Sequence, residues 1–349
     1  MNQLWQSFLS DNGAEFDSET GSRFGTAIDE IGAVSTDNVL IDLSHLGLLR
    51  ATGEDAKSFL LSQLTNDLNQ VTESRSQISA YCTPKGRMLA LFRIFIHRDQ
   101  LMLQAPASVI DAVLPRLRMY VMRAKVVLEP ANDLVSIGLS GPDSETMLAD
   151  QFDGLPANPG DAAQTGQVSV VRLAGPHPRF LVTGETDAII DLWQQLSGRC
   201  SVAGSAAWSW LDIMAGQPSV VPQTSEVFVP QMANLDVIDG VNFKKGCYPG
   251  QEIVARMQYL GKLKQRMYRA HIDIDTRPSP GDSLFAPSFR EQSAGTVVDA
   301  QVSPEGGFDF LAVIQIRAAD EGELHLGATD GPLIRLLDLP YELPPAKVG

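Results

Sequence analysis

VNFKKGCYPGQE, from Val241 to Glu252, contains the densest set of chemically informative residues in the chain. Two lysines and a glycine precede Cys247, and Pro249 and Gly250 come before an apolar run with helical spacing. This order predicts a thiol just ahead of a helix N-terminus, where amide donors and nearby lysines stabilise a thiolate. A small cysteine buried in a tight turn fits the same residues, so both interpretations stay open.

The charge around this stretch is unlike that of the rest of the chain. Between positions 241 and 270 there are seven positive residues and one negative residue, so the net charge of this segment is +6. Since the net charge of the whole chain is −15, the net charge of the remaining residues is −21. The segment is either a solvated basic face or an anion-binding surface. Because the positive charge is concentrated in one segment of an acidic protein, the two interpretations have about equal weight.

Composition sets the broad class of the protein. The chain has 349 residues, 44% hydrophobic and 20% charged, which is typical of a folded protein of two or three domains and excludes collagen, coiled coil and general disorder. No run reaches the roughly 18 apolar residues of a membrane span, and the N-terminal residues lack the pattern of a secretory signal. Three scattered cysteines without a CxxC pair predict neither a disulfide scaffold nor a metal site, and we expect a cytoplasmic protein.

A strand–turn–helix pattern occurs twice upstream. Residues 46–51 read as a strand, and Thr52-Gly53-Glu54-Asp55 leads into an apolar helical face. The pattern returns 88 residues later, where residues 135–139 are followed by Ser140-Gly141-Pro142-Asp143. Chance similarity remains an alternative, but a true repeat predicts two related α+β units with a ligand cleft between them.

The last part of the chain follows a different pattern. Short alternating strands separated by Gly, Pro and Asp clusters predict a small barrel or sandwich after about Gln265. The predicted divisions are residues 1–130, a first α+β unit with an N-terminal extension; 131–204, a second α+β unit; 205–264, a return segment that contains Trp208 and the cysteine motif; and 265–349, a β-barrel.

KKGCYPGQE resembles the KGCYxGQE signature of the YgfZ family of folate-binding proteins, which are relatives of the glycine-cleavage T protein, an aminomethyltransferase. The resemblance extends to Phe228–Gln231 and to the hairpin Cys82-x-Pro84-Lys85-Gly86-Arg87, and it covers the chain from about residue 39. It implies an α+β aminomethyltransferase-like fold of two related units plus a C-terminal β-barrel, arranged as a ring with tetrahydrofolate or a polyglutamyl folate in a central channel. It also implies a role in the assembly or repair of iron–sulfur enzymes, including enzymes that modify tRNA.

The resemblance also implies which residues form the site. Cys247 is the candidate functional thiol. Trp208 matches a family tryptophan implicated in folate binding; its indole is suited to stacking on a pterin, although packing on an amphipathic helix is the alternative. Lys85 and Arg87 are suited to meeting the glutamate tail, although an ordinary exposed turn explains them equally well. The remaining predicted folate contacts are Gln231, Asn234, Lys245, Gln251 and Glu252.

One difference from the related aminomethyltransferases bears on the class of reaction. The aminomethyltransferases carry an acidic pair after the hairpin glycines, whereas residues 86–90 here, Gly-Arg-Met-Leu-Ala, contain no carboxylate. We therefore favour a folate-binding accessory protein, with reduced folate and iron–sulfur client enzymes as partners, over a folate-dependent aminomethyl or methyl transferase. An RNA-binding module is disfavoured by the acidic net charge, and we expect neither membrane binding nor direct nucleic-acid binding.

The missing carboxylate gives a first prediction. A reconstituted glycine-cleavage assay that lacks its T protein should remain inactive when this chain is added, because no acid follows the hairpin glycine to assist transfer to the folate nitrogen. Formation of methylene-tetrahydrofolate is the measurement, and authentic T protein added to the same mixture is the control. Robust product formation by this chain would contradict the assignment.

Overall fold

The computed structural model describes residues 2–17, 21–259 and 261–344. The α-helices in these parts of the chain are α1 (Gln3–Asp11), α2 (Ala27–Thr36), α3 (Ala56–Gln63), α4 (Ala107–Met119), α5 (Ser144–Ala149), α6 (Thr186–Ser197), α7 (Ser205–Met214), α8 (Gln251–Tyr259) and α9 (Ile316–Glu321). Short 3₁₀ helices cover Leu68–Gln70, Pro222–Thr224, Pro230–Ala233 and Pro287–Phe289.

The strands are β1 (Glu15–Asp17), β2 (Gly21–Arg23), β3 (Val39–Asp42), β4 (Leu46–Thr52), β5 (Gln77–Cys82), β6 (Met88–His97), β7 (Gln100–Pro106), β8 (Val127–Pro130), β9 (Leu134–Ser140), β10 (Ala162–Thr165), β11 (Val168–Leu173), β12 (Arg179–Glu185), β13 (Ser201–Ala203), β14 (Gln265–Ile272), β15 (Ser283–Phe285), β16 (Gly295–Val302), β17 (Phe308–Gln315), β18 (Leu324–Leu326) and β19 (Leu333–Leu337). No helix of the described residues is both long enough and apolar enough to cross a membrane.

These elements form two compact units, each discontinuous in sequence. The first unit comprises Met1–Leu61, Leu68–Ile78 and Phe92–Leu211. The second comprises Ser62–Asp67, Ser79–Leu91 and Asp212–Gly349. The cysteine motif, the residues of the hairpin turn and the barrel therefore all belong to the second unit, whereas Trp208 belongs to the first.

A six-stranded sheet in the first unit has the order β10-β11-β12-β9-β3-β13. Every residue of β9, which lies inside this sheet, is buried. β3, which we predicted as part of the first α+β unit, pairs with β9 antiparallel and with β13 in parallel. The buried face of this sheet thus combines residues from both sides of the predicted division at residue 130.

Helix α1 completes the core of that sheet. The Asn2 side chain caps the helix by accepting a hydrogen bond from the Trp5 amide at 3.1 Å. Trp5, only 1% exposed, packs edge-on against Trp193 and donates its indole N–H to the Asp42 carboxylate at 2.8 Å. Burial raises the pKa of Asp42, and the hydrogen bonds from Trp5 and from the Ser44 hydroxyl offset only part of that shift.

A further sheet has five strands in the order β5-β6-β7-β4-β8, and β1 and β2 form a separate two-stranded sheet. The five-stranded sheet contains the first copy of the predicted repeat, and the match in the structure is close. Strands β4 and β9 begin and end 88 residues apart, and helices α3 and α5 begin 88 residues apart. Gly53 and Gly141, which follow the two strands, both have positive φ, a conformation that favours glycine.

Helix α4 contains Pro115 in its C-terminal half. The sequence predicts a kink or a break at this proline, and the break does not occur, because the helix continues through Pro115 to Met119. Residues on both sides of the proline, including Val113, Leu114 and Leu117, are buried. Their burial holds the C-terminal turn in place although proline removes one backbone hydrogen bond.

The C-terminal part of the second unit is a closed six-stranded barrel in the order β14-β17-β16-β15-β18-β19. Its interior is filled by small and large apolar side chains, such as Ala270, Ala312 and Phe310, which are fully buried. The prediction of a small C-terminal barrel is confirmed. Strand β18, which is three residues long, and helix α9 were not predicted from the sequence pattern.

Candidate functional site

Thr65 joins three separate segments of the second unit. Its amide donates to the Ala80 carbonyl at 2.9 Å, and its hydroxyl donates to the Gly240 carbonyl at 2.8 Å while accepting from the Ala80 amide at 2.9 Å. Its own carbonyl accepts from the Asn242 amide at 3.0 Å. Because Thr65 is fully buried, these bonds fix where the cysteine motif begins.

Asn242 then shapes the turn that carries the lysines. Its side-chain oxygen accepts hydrogen bonds from the amides of Lys244 at 2.8 Å and Lys245 at 3.1 Å. An Asn side chain that satisfies amides two and three residues ahead forms a compact turn. The structure thus identifies Thr65 and Asn242 as determinants of the site, and sequence reasoning had assigned neither a role.

The hairpin turn between β5 and β6 contacts the start of α8 through two glycines. A Cβ atom on Gly250 would lie 2.5 Å from the Thr83 carbonyl oxygen and 2.7 Å from Gly86 Cα. Both glycines have positive φ, 72° at Gly86 and 82° at Gly250. Only residues without a side chain allow the backbones to approach this closely in that conformation.

Lys245 is the most perturbed cation of the motif. Its ammonium donates to the Leu64 carbonyl at 2.5 Å and lies 4.9 Å from the centre of the Tyr248 ring. Burial lowers the pKa of Lys245 to about 8, and electrostatic interactions with Asp67 and Cys247 partly oppose that shift. An appreciable fraction of the amine is therefore neutral just above neutral pH.

The three thiols lie in different environments. Cys247 is exposed, Cys200 is half-buried and Cys82 is buried. Burial raises the pKa of Cys82 to about 12 and that of Cys200 to about 11, so both are almost entirely protonated at neutral pH. The alternative that Cys247 is a small cysteine buried in a tight turn is wrong, because its side chain is exposed four positions before α8.

Tyr248 anchors the turn beside that thiol. The residue is 7% exposed, and burial raises the pKa of its hydroxyl. The Gln251 side chain contributes from the first turn of α8 by donating to the carbonyls of Lys245 at 3.3 Å and Gly246 at 3.4 Å. Glu252 follows it and is exposed.

Gln231 and Asn234, two of the predicted folate contacts, are buried in the second unit. The Gln231 amide nitrogen donates to the Val254 carbonyl of α8 at 2.7 Å. The Asn234 side chain donates to the Met267 carbonyl of β14 at 2.8 Å, and Asn234 adopts the left-handed conformation with φ of 60°. Both side chains connect this segment to neighbouring elements.

The two hairpin cations differ in exposure. Lys85 is exposed at the tip of the turn. Arg87 is half-buried, and its guanidinium donates to the Val227 carbonyl. The strand that follows is held by backbone bonds in both directions between Met88 and the segment Glu226–Phe228, each 2.8 Å long.

Trp208 lies in helix α7 within the first unit and is 3% exposed. The guanidinium of Arg179 lies 3.6 Å from the centre of its ring. A Cβ atom on Gly138 would lie only 2.4 Å from the ring, so the indole also fills the space above that glycine. The Trp208 ring is thus packed against protein atoms.

Comparison with known proteins defines the class. The family model described as the GCVT N-terminal domain matches residues 11–175. The glycine cleavage system aminomethyltransferase T from Bartonella henselae superposes with a TM-score of 0.78 over 96% of both chains at 18% identity. The protein therefore has the aminomethyltransferase-like fold.

Two curated relatives narrow this class to a family. The tRNA-modifying protein YgfZ of Colwellia psychrerythraea is 31% identical over 87% of this chain and 93% of its own length. The tRNA-modifying protein YgfZ of Yersinia pseudotuberculosis serotype IB is 32% identical over 87% of this chain and 92% of its own length. The chain belongs to the YgfZ family, as the resemblance of the cysteine motif predicted.

The glycine contact gives a second prediction. Gly250→Ala should lower the free energy of unfolding by about 2–5 kcal/mol, because the new methyl group overlaps the hairpin backbone and the residue has positive φ. Gly246→Ala is the matched control: nothing lies within 4 Å of the position that its new methyl group would take. It should change stability by less than about 0.5 kcal/mol. Urea denaturation measures both, and equal effects would contradict the close approach.

Proposed function

We propose that this protein binds a reduced folate, tetrahydrofolate or its polyglutamyl form, and supports the assembly or repair of iron–sulfur enzymes. Enzymes that modify tRNA are among the proposed clients. Support comes from membership of the YgfZ family, whose curated relatives are named tRNA-modifying proteins, and from the aminomethyltransferase-like fold. Cys247 is the proposed functional residue.

The single observation that carries the proposal is the exposed Cys247 thiol next to the partly buried Lys245 ammonium. Hydrogen bonds through Thr65 and Asn242 and the glycine contact with the hairpin hold this arrangement rigidly. A thiol that only filled space would be buried, as Cys82 is. A solvent-facing thiol beside a cation is instead suited to reaction or to contact with a client.

The cations of the same unit fit the anionic part of a folate. Lys85 and Lys244 are exposed, and each is adjacent in sequence to a residue whose backbone is fixed, Gly86 and Lys245 respectively. In a chain of net charge −15, such local positive charge favours a polyanionic tail. A polyglutamyl tail supplies several carboxylates, which lysines bind as point charges.

The hairpin also bears on the reaction class. After Gly86 and Arg87, the residues Met88, Leu89 and Ala90 are apolar and at most 7% exposed. No carboxylate from this stretch is available to assist one-carbon transfer at a folate nitrogen. The proposal is therefore an accessory role and not a classical aminomethyltransferase reaction.

The ring of Trp208 is covered by protein atoms. The Arg179 guanidinium lies over the indole, and Gly138 provides the space that the ring fills. We retain Trp208 as a proposed folate contact because it matches the family tryptophan, although stacking on a pterin would require the covering side chains to move. The alternative, a purely structural role, is distinguished by the variants below.

Folate binding is the third prediction. Calorimetry with tetrahydrofolate should show binding to the full chain, and a polyglutamyl form should bind more tightly because of its additional carboxylates. Lys85→Glu and Lys244→Glu should each weaken the polyglutamyl form more than the monoglutamate, since both reverse a charge that meets the tail. Absence of heat and of tryptophan quenching with every reduced folate would refute the proposal.

The Trp208 contact is tested in the same assay. Trp208→Phe should weaken tetrahydrofolate binding at a temperature where the variant is still folded, although its unfolding midpoint should fall because the smaller ring leaves a buried space. Trp210→Phe, on the same helix, is the matched control and should bind normally. Unchanged affinity of Trp208→Phe would assign the residue a structural role only.

The thiol gives the fourth prediction. Iodoacetamide should alkylate Cys247 about tenfold or more faster than Cys82 and Cys200, because only Cys247 is exposed and burial keeps the other two protonated. Mass spectrometry of tryptic peptides at successive times gives the three rates. Equal rates would contradict the exposure of Cys247.

Complementation then tests the role of that thiol. Cys247→Ala should keep the parent's unfolding midpoint, since an exposed side chain contributes little buried area, yet fail to restore a strain that lacks its own YgfZ. Cys200→Ala is the control and should restore it. Full activity of Cys247→Ala would mean that the motif acts through its glycines and backbone geometry and not through sulfur.

A further inference from the structure

The second unit contains a cavity of about 570 Å³ beyond the C-terminal end of α8. Its walls come from the end of α8 and the following loop, from strand β14, and from the start of α9. This volume is within the range of pockets that bind small organic ligands. The described lining residues are Gln231, Asp236, Met257, Gln258, Gly261, Lys262, Leu263, Lys264, Arg266, Phe289, Gln315, Ile316, Arg317 and Pro344.

Much of the wall is apolar. Met257, Leu263, Phe289 and Ile316 line the cavity and are only half-buried. Apolar side chains that converge on an open cavity and are incompletely covered favour a ligand with an apolar body of matching size. An aromatic ring system fits a wall of this composition.

The charges at the cavity are not balanced. Asp236 is the one carboxylate among the described lining residues, and the Arg266 guanidinium already holds it in a two-pronged ion pair of 2.5 and 2.9 Å. Arg317 pairs with Glu321 at 2.9 Å. Lys262 and Lys264 are exposed and do not occur in the ion pairs of the described residues, so the cavity has a net positive charge.

One polar atom at the cavity lacks a partner. Gln231 is 1% exposed, and its side-chain oxygen forms no hydrogen bond within the described parts of the chain. Its amide nitrogen is already used by the Val254 carbonyl. Since a buried acceptor without a donor is unfavourable, a ligand that brings an N–H or O–H group would gain from this position.

We propose that this cavity binds an aromatic anion: an apolar ring system that carries a carboxylate or phosphate and a hydrogen-bond donor. The rings lie against the apolar wall, the anionic group forms ion pairs with Lys262 and Lys264, and the donor group donates a hydrogen bond to the side-chain oxygen of Gln231. This site is additional to the proposed folate site, since Gln231 is the one predicted folate contact among the described lining residues.

The test uses 8-anilinonaphthalene-1-sulfonate with the full-length protein, because this fluorescent probe combines aromatic rings, an anionic group and an N–H donor. N-phenyl-1-naphthylamine, which lacks the sulfonate, is the neutral comparison. Fluorescence titration should show one saturable site for the anionic probe. The neutral probe should bind more weakly to the parent protein, because it cannot pair with the lysines.

Charge reversal identifies where the probe binds. Lys262→Glu and Lys264→Glu should each weaken the anionic probe at least about fivefold and leave the neutral probe within about twofold. Arg335→Glu makes the same change in net charge at an exposed barrel strand outside the lining and should have little effect. Ile316→Trp should weaken both probes by filling the cavity, provided its unfolding midpoint matches the parent's.

Three results would overturn the proposal. The first is equal affinity of the anionic probe for the parent and for both lysine variants. The second is an equal loss for the neutral probe, which would remove charge recognition. The third is displacement of the probe by tetrahydrofolate, which would make this cavity the folate site. If instead folate fails to bind at all, the proposed function fails while the probe result stands.

Discussion

The close approach of two backbones at Gly86 and Gly250 is the constraint on which the rest of the site depends. One glycine is at the tip of the β5–β6 hairpin and the other is directly before α8. A side chain at Gly250 would overlap the hairpin backbone, and one at Gly86 would press on Ile253 in a conformation that favours glycine. Their contact fixes the direction in which α8 begins. The turn that carries Lys245 and Cys247 must therefore end at a defined point, while Thr65 and Asn242 fix where it starts. A mobile thiol could not be held beside a partly buried ammonium in this way.

The local parts of this arrangement can be predicted from the sequence. A proline and a glycine ahead of an apolar periodic run predict the start of α8, and the spacing of Cys247 from that run predicts its position near the helix. The repeat with an offset of 88 residues can also be predicted from the sequence, because strand, glycine turn and helix recur in the same order. Helix α1 was missed although its signals are present: Asn2 serves as a cap, and Trp5 and Leu9 occupy one buried face.

The remaining parts depend on residues that meet only in the folded chain. The accessibility of the Trp208 indole depends on Gly138 in β9 and Arg179 in β12, which pack against its ring. The lowered pKa of Lys245 depends on burial and on the Leu64 carbonyl, and neither follows from the motif itself. The pairing of β3 with β9 and β13 is equally non-local, and it was therefore not predicted when the chain was divided at residue 130.

The discontinuity of the second unit determines when its site can form during synthesis. Thr65 emerges from the ribosome early, but its hydroxyl bonds to the Gly240 carbonyl, 175 residues further along. The second unit, to which segments 62–67 and 79–91 belong, can therefore be completed only when most of the chain has been made, and residues that it buries, such as Leu64 and Tyr81, are not fully covered before then. Contacts of such long sequence separation slow folding and leave apolar surface exposed in the nascent chain. Chains that terminate before residue 240 lack both the cysteine turn and the Gly240 and Asn242 partners of Thr65, so their second unit stays incomplete and exposes the apolar surface that chaperones and proteases recognise.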